Sequence, residues 1–364
     1  MMNPYERHLA VINNEEPDKV DVVFAAGLRG GPTRGMLRRL TARGMGITHI
    51  IPPYKPMFFF DHMINPFLKD IAYTQKSFCQ DNVWMIQHIF ETPVGTVDSI
   101  VGINPGVNVL THSAQTFFVK EVEDWRVINF VFEKMLENMV PNYDELEGDQ
   151  QDLGTDGTTI AVVDKSPFQR AWVELASVER AAIDFKTKPD LLLEYLDIQH
   201  RFHLKAAEIT AGCPAQHITL IDNITNLISP KYYREYCMPI YDIYVNALAG
   251  TGKKFAVHHD GLLRHLAKEI HETKIDIVDS FTVPPIGNIS LTEAKEFFPE
   301  KILSVNLPPH LAYANMDELH AGYEKILQEH GKKQLIIEHV EDLPEESLEN
   351  HLSAALDVCG YPTQ

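Results

Sequence analysis

The feature that most constrains this chain is a succession of short, β-branched apolar runs separated by helical patterns. The runs fall at Val20–Phe24, Thr48–Ile51, Thr159–Val163, His217–Ile221, Lys254–His258, Ile275–Asp279, Ile302–Asn306 and Gln334–Glu338. Each has strand length and is bounded by turn residues. Helical patterns cover Pro189–Thr210, Leu262–Thr273, Leu291–Phe298, Met316–His330 and Glu345–Val358, and one more starts at Ser229-Pro230, an N-cap followed by proline, and runs toward Ala249. Strands alternating with helices in this number predict an α/β fold, a (β/α)8 TIM barrel formed as a single domain over residues 1–364. Residues 82–121 break the alternation. They contain VWMIQHIFETPVGTVDSIV and TFFVKEV, which alternate apolar and polar around Gly95 and a turn region at 102–106. That pattern predicts an antiparallel β insertion between strands 2 and 3.

Composition narrows the function. The net charge of −19 argues against nucleic acid and against an anionic membrane surface as partners. No apolar run approaches the ~18 residues of a membrane span. The N-terminal residues carry no secretory pattern, and the four cysteines, Cys79, Cys213, Cys237 and Cys359, include no CxxC pair. A cytoplasmic protein is therefore expected. Arg29, Arg34, Arg38, Arg39 and Arg43 crowd one segment. They read either as the solvated face of a helix or as an anion- or partner-docking patch.

In such a barrel the active site lies at the C-terminal ends of the strands. The polar residues expected there are Asp222-Asn223 after strand 4, His258-His259-Asp260-Gly261 after strand 5, Asp279-Ser280 after strand 6, and Glu338-His339-Val340-Glu341 after strand 8. His258 and Asp260 form an HxD pair whose side chains point to one side of an extended chain, with backbones about 6–7 Å apart. An imidazole nitrogen and a carboxylate oxygen suit zinc. The alternatives are a strand-capping histidine and a turn aspartate before Gly261. His203, His217 and His271 read as structural or surface residues, and Cys213 and Cys237 as small core hydrophobes. No GxSxG elbow, GxGxxG loop or phosphate-binding loop is present, which removes the usual support for hydrolase, dinucleotide and nucleotide chemistry.

Several segments in order resemble the uroporphyrinogen decarboxylase superfamily: Asn3-Pro4-Tyr5-Glu6-Arg7 through Glu16-Pro17-Asp18-Lys19-Val20, Glu91-Thr92-Pro93-Val94-Gly95-Thr96, Asp222 through Ile228-Ser229-Pro230 with Tyr233 and Met238-Pro239, His258-x-Asp260-Gly261, and Pro284-x-x-Gly287-Asn288. The stretch Ala25-Ala26-Gly27-Leu28-Arg29-Gly30-Gly31 is a poor match to the arginine-rich segment of true decarboxylases. The resemblance points instead to the methyltransferase branch, which binds zinc through an HxC pair and a later cysteine. Here Asp260 stands at the first cysteine and Glu341 falls near the second, with Glu338 and His339 as alternatives. The resemblance thus implies a zinc held by His258, Asp260 and Glu341. It implies methyl transfer from an ether, a methoxyarene being the expected donor, to Co(I) of a corrinoid on a separate, transiently bound protein. Oxygen ligands leave a harder Lewis acid, suited to an ether oxygen.

Asp222 and Asp279 are expected at the same mouth, one of them contacting substrate or steadying a metal ligand, the alternative being a helix N-cap or a turn aspartate. The run Met57-Phe58-Phe59-Phe60 is a candidate pocket wall or ordinary core. The partner is expected over the C-terminal face and the 82–121 insertion, across an interface at the small end of ~1,200–2,000 Å². With a net charge of −19, electrostatic steering favours a locally basic partner surface and an association rate that falls as salt rises. A metal-free decarboxylase using Arg29 and Arg34, and a non-catalytic protein that docks a corrinoid carrier, are the competing readings.

Overall fold

The computed structural model describes residues 1–26, 34–59, 62–64, 68–104, 111–339 and 343–363. Eight parallel strands close into a barrel: β1 (Asp21–Ala26), β2 (Gly46–Ile51), β3 (Gly157–Val163), β4 (His217–Ile224), β5 (Lys254–His259), β6 (Ile277–Phe281), β7 (Ile302–Asn306) and β8 (Leu335–His339). Each strand pairs with its neighbours in sequence, and β8 closes onto β1 through Asp21↔Ile336 and Phe24↔His339. The helices used below are α1 (Pro4–Ile12), α2 (Trp125–Glu137), α3 (Asp190–Gly212), α4 (Met238–Leu248), α5 (Met316–His330) and α6 (Glu345–Val358). The helix expected from Ser229-Pro230 does begin there, with Ser229 Oγ accepting from Tyr232 N at 3.2 Å. A π-helical turn over Tyr233–Cys237 interrupts it before α4.

Between β2 and β3 the predicted insertion is a four-stranded antiparallel meander, Ala72–Gln80, Val83–Thr92, Gly95–Asn104 and Thr111–Thr116. It begins at Ala72 rather than near residue 82. Thr92-Pro93-Val94-Gly95 is its central hairpin turn, closed by Thr92 Oγ1 donating to Gly95 O at 2.8 Å. Phe90 and Phe118 from the insertion meet Phe58 at ring separations of 6.2 and 6.0 Å. Met57 and Phe58 are therefore core residues; Phe60 lies outside the described residues. A buried guanidinium ties this core to β3. Arg170 lies over the rings of Phe58 and Phe132, donates to Phe58 O at 3.1 Å, and pairs with Asp164 and Glu174.

The strand registers fix which side chains face the barrel interior. Val23, Ala256, Ile277, Ile302 and Ile336 form one apolar layer with Val11 and Ile12 of α1, which plugs the floor. In-register neighbours in a parallel sheet face the same side, and every second residue does so along a strand. The inward rows are thus Asp21, Val23 and Ala25; Thr48; Thr158; His217 and Thr219; Ala256 and His258; Ile277 and Asp279; Ile302 and Ser304; Ile336 and Glu338. Branched apolar residues usually fill such a barrel. Here polar residues occupy much of the interior.

Candidate functional site

The inward rows of β5, β6, β7 and β8 converge at the C-terminal mouth. His258 and Asp279 are direct register partners, and the His258 Nδ1 to Asp279 Oδ2 distance is 3.3 Å. A carboxylate can only accept, so Nδ1 carries the proton and the lone pair of the neutral ring sits on Nε2. Burial by itself would raise the Asp279 carboxyl, but the adjacent His258 ring outweighs it and holds Asp279 below the ordinary carboxylate range. Glu338 lies on the next inward row but one. Burial, then the Asp279 charge, push its carboxyl upward. The two carboxyls share a hydrogen bond, with Asp279 the anion and Glu338 the proton donor. Ser304 Oγ donates to Glu338 Oε2 at 2.6 Å, which fixes that carboxyl from the side.

Asp260 follows two residues after His258, directly past the end of β5. Its backbone N–H donates to Ile224 O at 3.1 Å, which carries the strand's pairing one residue past its end. Its Oδ1 is buried without a hydrogen-bond partner, and burial raises its carboxyl. A buried carboxylate oxygen without a donor is costly unless a cation or a ligand's donor meets it. His258 and Asp260 together supply the nitrogen and oxygen donors that zinc accepts. Glu341 lies outside the described residues. Among those described, no three His, Cys, Asp or Glu side chains close a metal site by themselves.

The loops hold this mouth in shape. Ser280, directly after Asp279, takes a left-handed φ of 61°, and Asn306 Nδ2 bonds its carbonyl at 3.1 Å and its hydroxyl at 2.9 Å. Gly287 packs so close to the Thr282 carbonyl that a Cβ there would lie 1.8 Å from the oxygen, so this position admits no side chain. Asn288 Oδ1 accepts from Arg264 N at 3.0 Å and ties the loop after β6 to the loop after β5.

Several predicted residues stand elsewhere. Asp222 was expected at the mouth, but its carboxylate points out of the barrel. It accepts from Ser166 N at 2.8 Å, from Ser166 Oγ at 2.9 and 2.8 Å, and from Tyr241 OH of α4 at 2.6 Å. The cause is local. The inward row of β4 is His217, Thr219 and Ile221, and an irregularity between Leu220 and Ile224 follows, with Asn223 at φ 49°. His339 also faces outward and stacks on Phe24 at 4.9 Å, so it does not join His258. His259 is turned the same way. Its Nδ1–H donates to Val257 O at 2.9 Å, and its Nε2 accepts from Tyr233 OH at 2.9 Å. Of the arginine cluster, Arg39 pairs with Glu349 at 2.7 Å and Arg43 with Asp357, both acids of α6. Arg29 lies outside the described residues.

Sequence reasoning did not find the Ser304–Glu338–Asp279 chain as a unit. It also missed the character of the surrounding rim. The segments 225–229, 260–263, 282–289 and 307–315, which follow β4 to β7, hold no Lys, Arg or Glu. Large apolar side chains stand out from them into solvent: Leu227 at 60% exposure, Leu262 at 38%, Ile286 at 46% and Tyr313 at 84%.

No curated protein matches the chain. Among solved structures, a methyltransferase from Methanosarcina mazei is similar over 98% of this chain and 99% of its own, at 14% identity and a TM-score of 0.56. At that identity the likeness is one of fold. A B12-independent methionine synthase from Shewanella sp. W3-18-1, in complex with selenomethionine, is similar over 89% of this chain and 85% of its own, at 11% identity and a TM-score of 0.44. The uroporphyrinogen decarboxylase (URO-D) family profile matches residues 139–359, which include β3 to β8 and both residues of the HxD pair. With more than half of its length matched, this barrel belongs to the uroporphyrinogen decarboxylase family.

Proposed function

We propose that the protein is a methyltransferase of this superfamily, taking the methyl group of an ether, with a methoxyarene as the donor class, and passing it to Co(I) of a corrinoid on a separate protein. The observation that carries the reading is the buried, unpartnered Asp260 Oδ1, two residues after His258 and within its electrostatic reach. His258 Nε2 and Asp260 would hold zinc, with Glu341 as the third donor. Bound there, zinc would polarise the ether oxygen and stabilise the departing phenolate.

The chain's own residues have separable tasks. Asp279 accepts the His258 Nδ1–H and holds the ring with its Nε2 lone pair toward the mouth. Glu338, protonated and anchored by Ser304, holds Asp279 in turn. The rim segments after β4 to β7, in which Asp260 is the one acid, would keep water from the mouth once a partner sits on them, and Leu227, Leu262, Ile286 and Tyr313 are the side chains it would bury. A 23%-charged chain that keeps Lys, Arg and Glu out of these segments has built an apolar contact face.

The test mixes this protein, a panel of methoxyarenes and methylated small molecules, and a Co(I) corrinoid protein, and follows the cobalt absorption spectrum. Methyl-Co(III) formation with at least one donor is expected. If none of the panel gives it, the metal-free decarboxylase reading takes its place.

A further inference from the structure

A second polar cluster lies beneath the site, at the barrel floor. Asp21 opens β1, His217 opens β4, and His8 reaches up between them from α1. His8 Nδ1 is 2.8 Å from Asp21 Oδ2, and His8 Nε2 is 3.0 Å from His217 Nδ1. The three side chains are 0, 2 and 3% exposed for Asp21, His8 and His217. Their place is where a barrel of this type is packed with branched apolar residues.

The proton positions follow from the partners. Asp21 accepts, so His8 carries its proton on Nδ1. With His8 Nε2 as the acceptor of the 3.0 Å bond, His217 carries its own proton on Nδ1. The lone pair of His217 is thereby placed on Nε2, which is buried with no hydrogen-bond partner. Burial lowers the His217 ring far enough to keep it neutral, and the ring lies within electrostatic reach of Asp279. Thr219 follows His217 on the same inward row, and its buried Oγ1 is also without a partner. A buried water needs two to four polar partners, and these groups provide them.

We propose that Asp21, His8 and His217 are a positioning relay, in which His217 Nε2 and Thr219 Oγ1 hold an ordered water beneath Asp279 and so fix the carboxylate that orients His258. The inference rests on the reading of His258 as a zinc ligand. A floor made only for packing would leave no reason to aim a histidine lone pair into the interior.

The first test is the nitrogen spectrum of 15N-histidine-labelled protein. His217 is expected to show a protonated Nδ1 and a pyridine-type Nε2, and a proton on Nε2 would overturn the proposal. The second compares His217→Phe with His217→Gln, whose amide can still meet the water. His217→Phe is expected to weaken zinc binding, measured by chelator competition, about 10-fold and to alter the His258 ring-nitrogen signals, while His217→Gln stays within about 3-fold. If His217→Phe lowers only the melting temperature and leaves both readouts unchanged, the cluster is floor packing. A wild-type protein that binds no zinc defeats the reading of the mouth, and the His258 signals of the two variants then still decide the relay. If His217→Phe does not fold, the tautomer of the wild-type ring decides alone.

Discussion

Asp222 gives the sharpest separation between a structural and a functional aspartate. Its carboxylate is fully buried and accepts one backbone N–H and two hydroxyls, from Ser166 and Tyr241. Asp222→Ala strands these donors in a dry space. Each buried unsatisfied group costs about 1–3 kcal/mol, and allowing for partial relaxation the total is about 3–5 kcal/mol. Asp222→Asn keeps an acceptor for Ser166 N, and the hydroxyls can rotate to meet its amide hydrogens, so about 1–2 kcal/mol is expected. An unfolding entropy of ~2.1 cal/mol/K per residue over 364 residues gives ~0.8 kcal/mol/K. The alanine variant should therefore melt about 4–6 °C lower and the asparagine variant about 1–3 °C lower. Calorimetry at constant pH, with zinc affinity measured on the same samples, is the assay. An alanine variant that melts within 1 °C of wild type but has lost its zinc would refute the argument and return Asp222 to the site.

The other predictions concern acid stability and the rim. Burial lowers His203 and His217 to about 3 and His259 to about 4. These rings are neutral in the fold, whereas in the unfolded chain they take up protons near pH 6.5. Their contribution is fully present above pH 6.5 and is lost as pH falls toward 3–4, by up to ~1.4 kcal/mol per pH unit for each ring. Urea unfolding from pH 7.5 to 4.5 should show this loss, with a shallower slope in His203→Gln; a flat profile would contradict it. Leu227→Ser combined with Ile286→Ser should weaken docking of the corrinoid protein at least 10-fold, read by titration calorimetry, without changing the metal content. Because the segments 225–229, 260–263, 282–289 and 307–315 hold no Lys, Arg or Glu, an affinity carried by them should change little between 50 and 300 mM salt. A steep fall with salt would mean that the charged flanks carry the contact.

The barrel was legible because strands buried on both faces leave a strong local signal. Ile302–Asn306 matches the structure at both ends, and the other strands differ by one to three residues. The place of His258 on strand 5 and of Asp279 on strand 6 was legible for the same reason, and the two are register partners. Asp222 was misjudged because facing depends on counting inward from His217, and the irregularity before Ile224 hides the count. The Ser304–Glu338–Asp279 chain depends on register between strands, which no single segment encodes. The Asp21–His8–His217 cluster needs α1 to be placed under the barrel, a contact between residues 209 apart. The net charge of −19 says nothing of where the charges lie, and the segments 225–229, 260–263, 282–289 and 307–315 hold no Lys, Arg or Glu.

The most direct test is the metal content of the purified protein beside its His258→Ala variant. His258 is on the interior row above the apolar layer and is 15% exposed, so its loss should spare the fold. Elemental analysis should find close to one zinc per chain in the wild type and little in a variant whose circular dichroism and melting are nearly unchanged. Wild-type protein that transfers methyl groups while holding no zinc, iron or cobalt, or a His258→Ala variant that keeps its full complement of metal, would contradict the account.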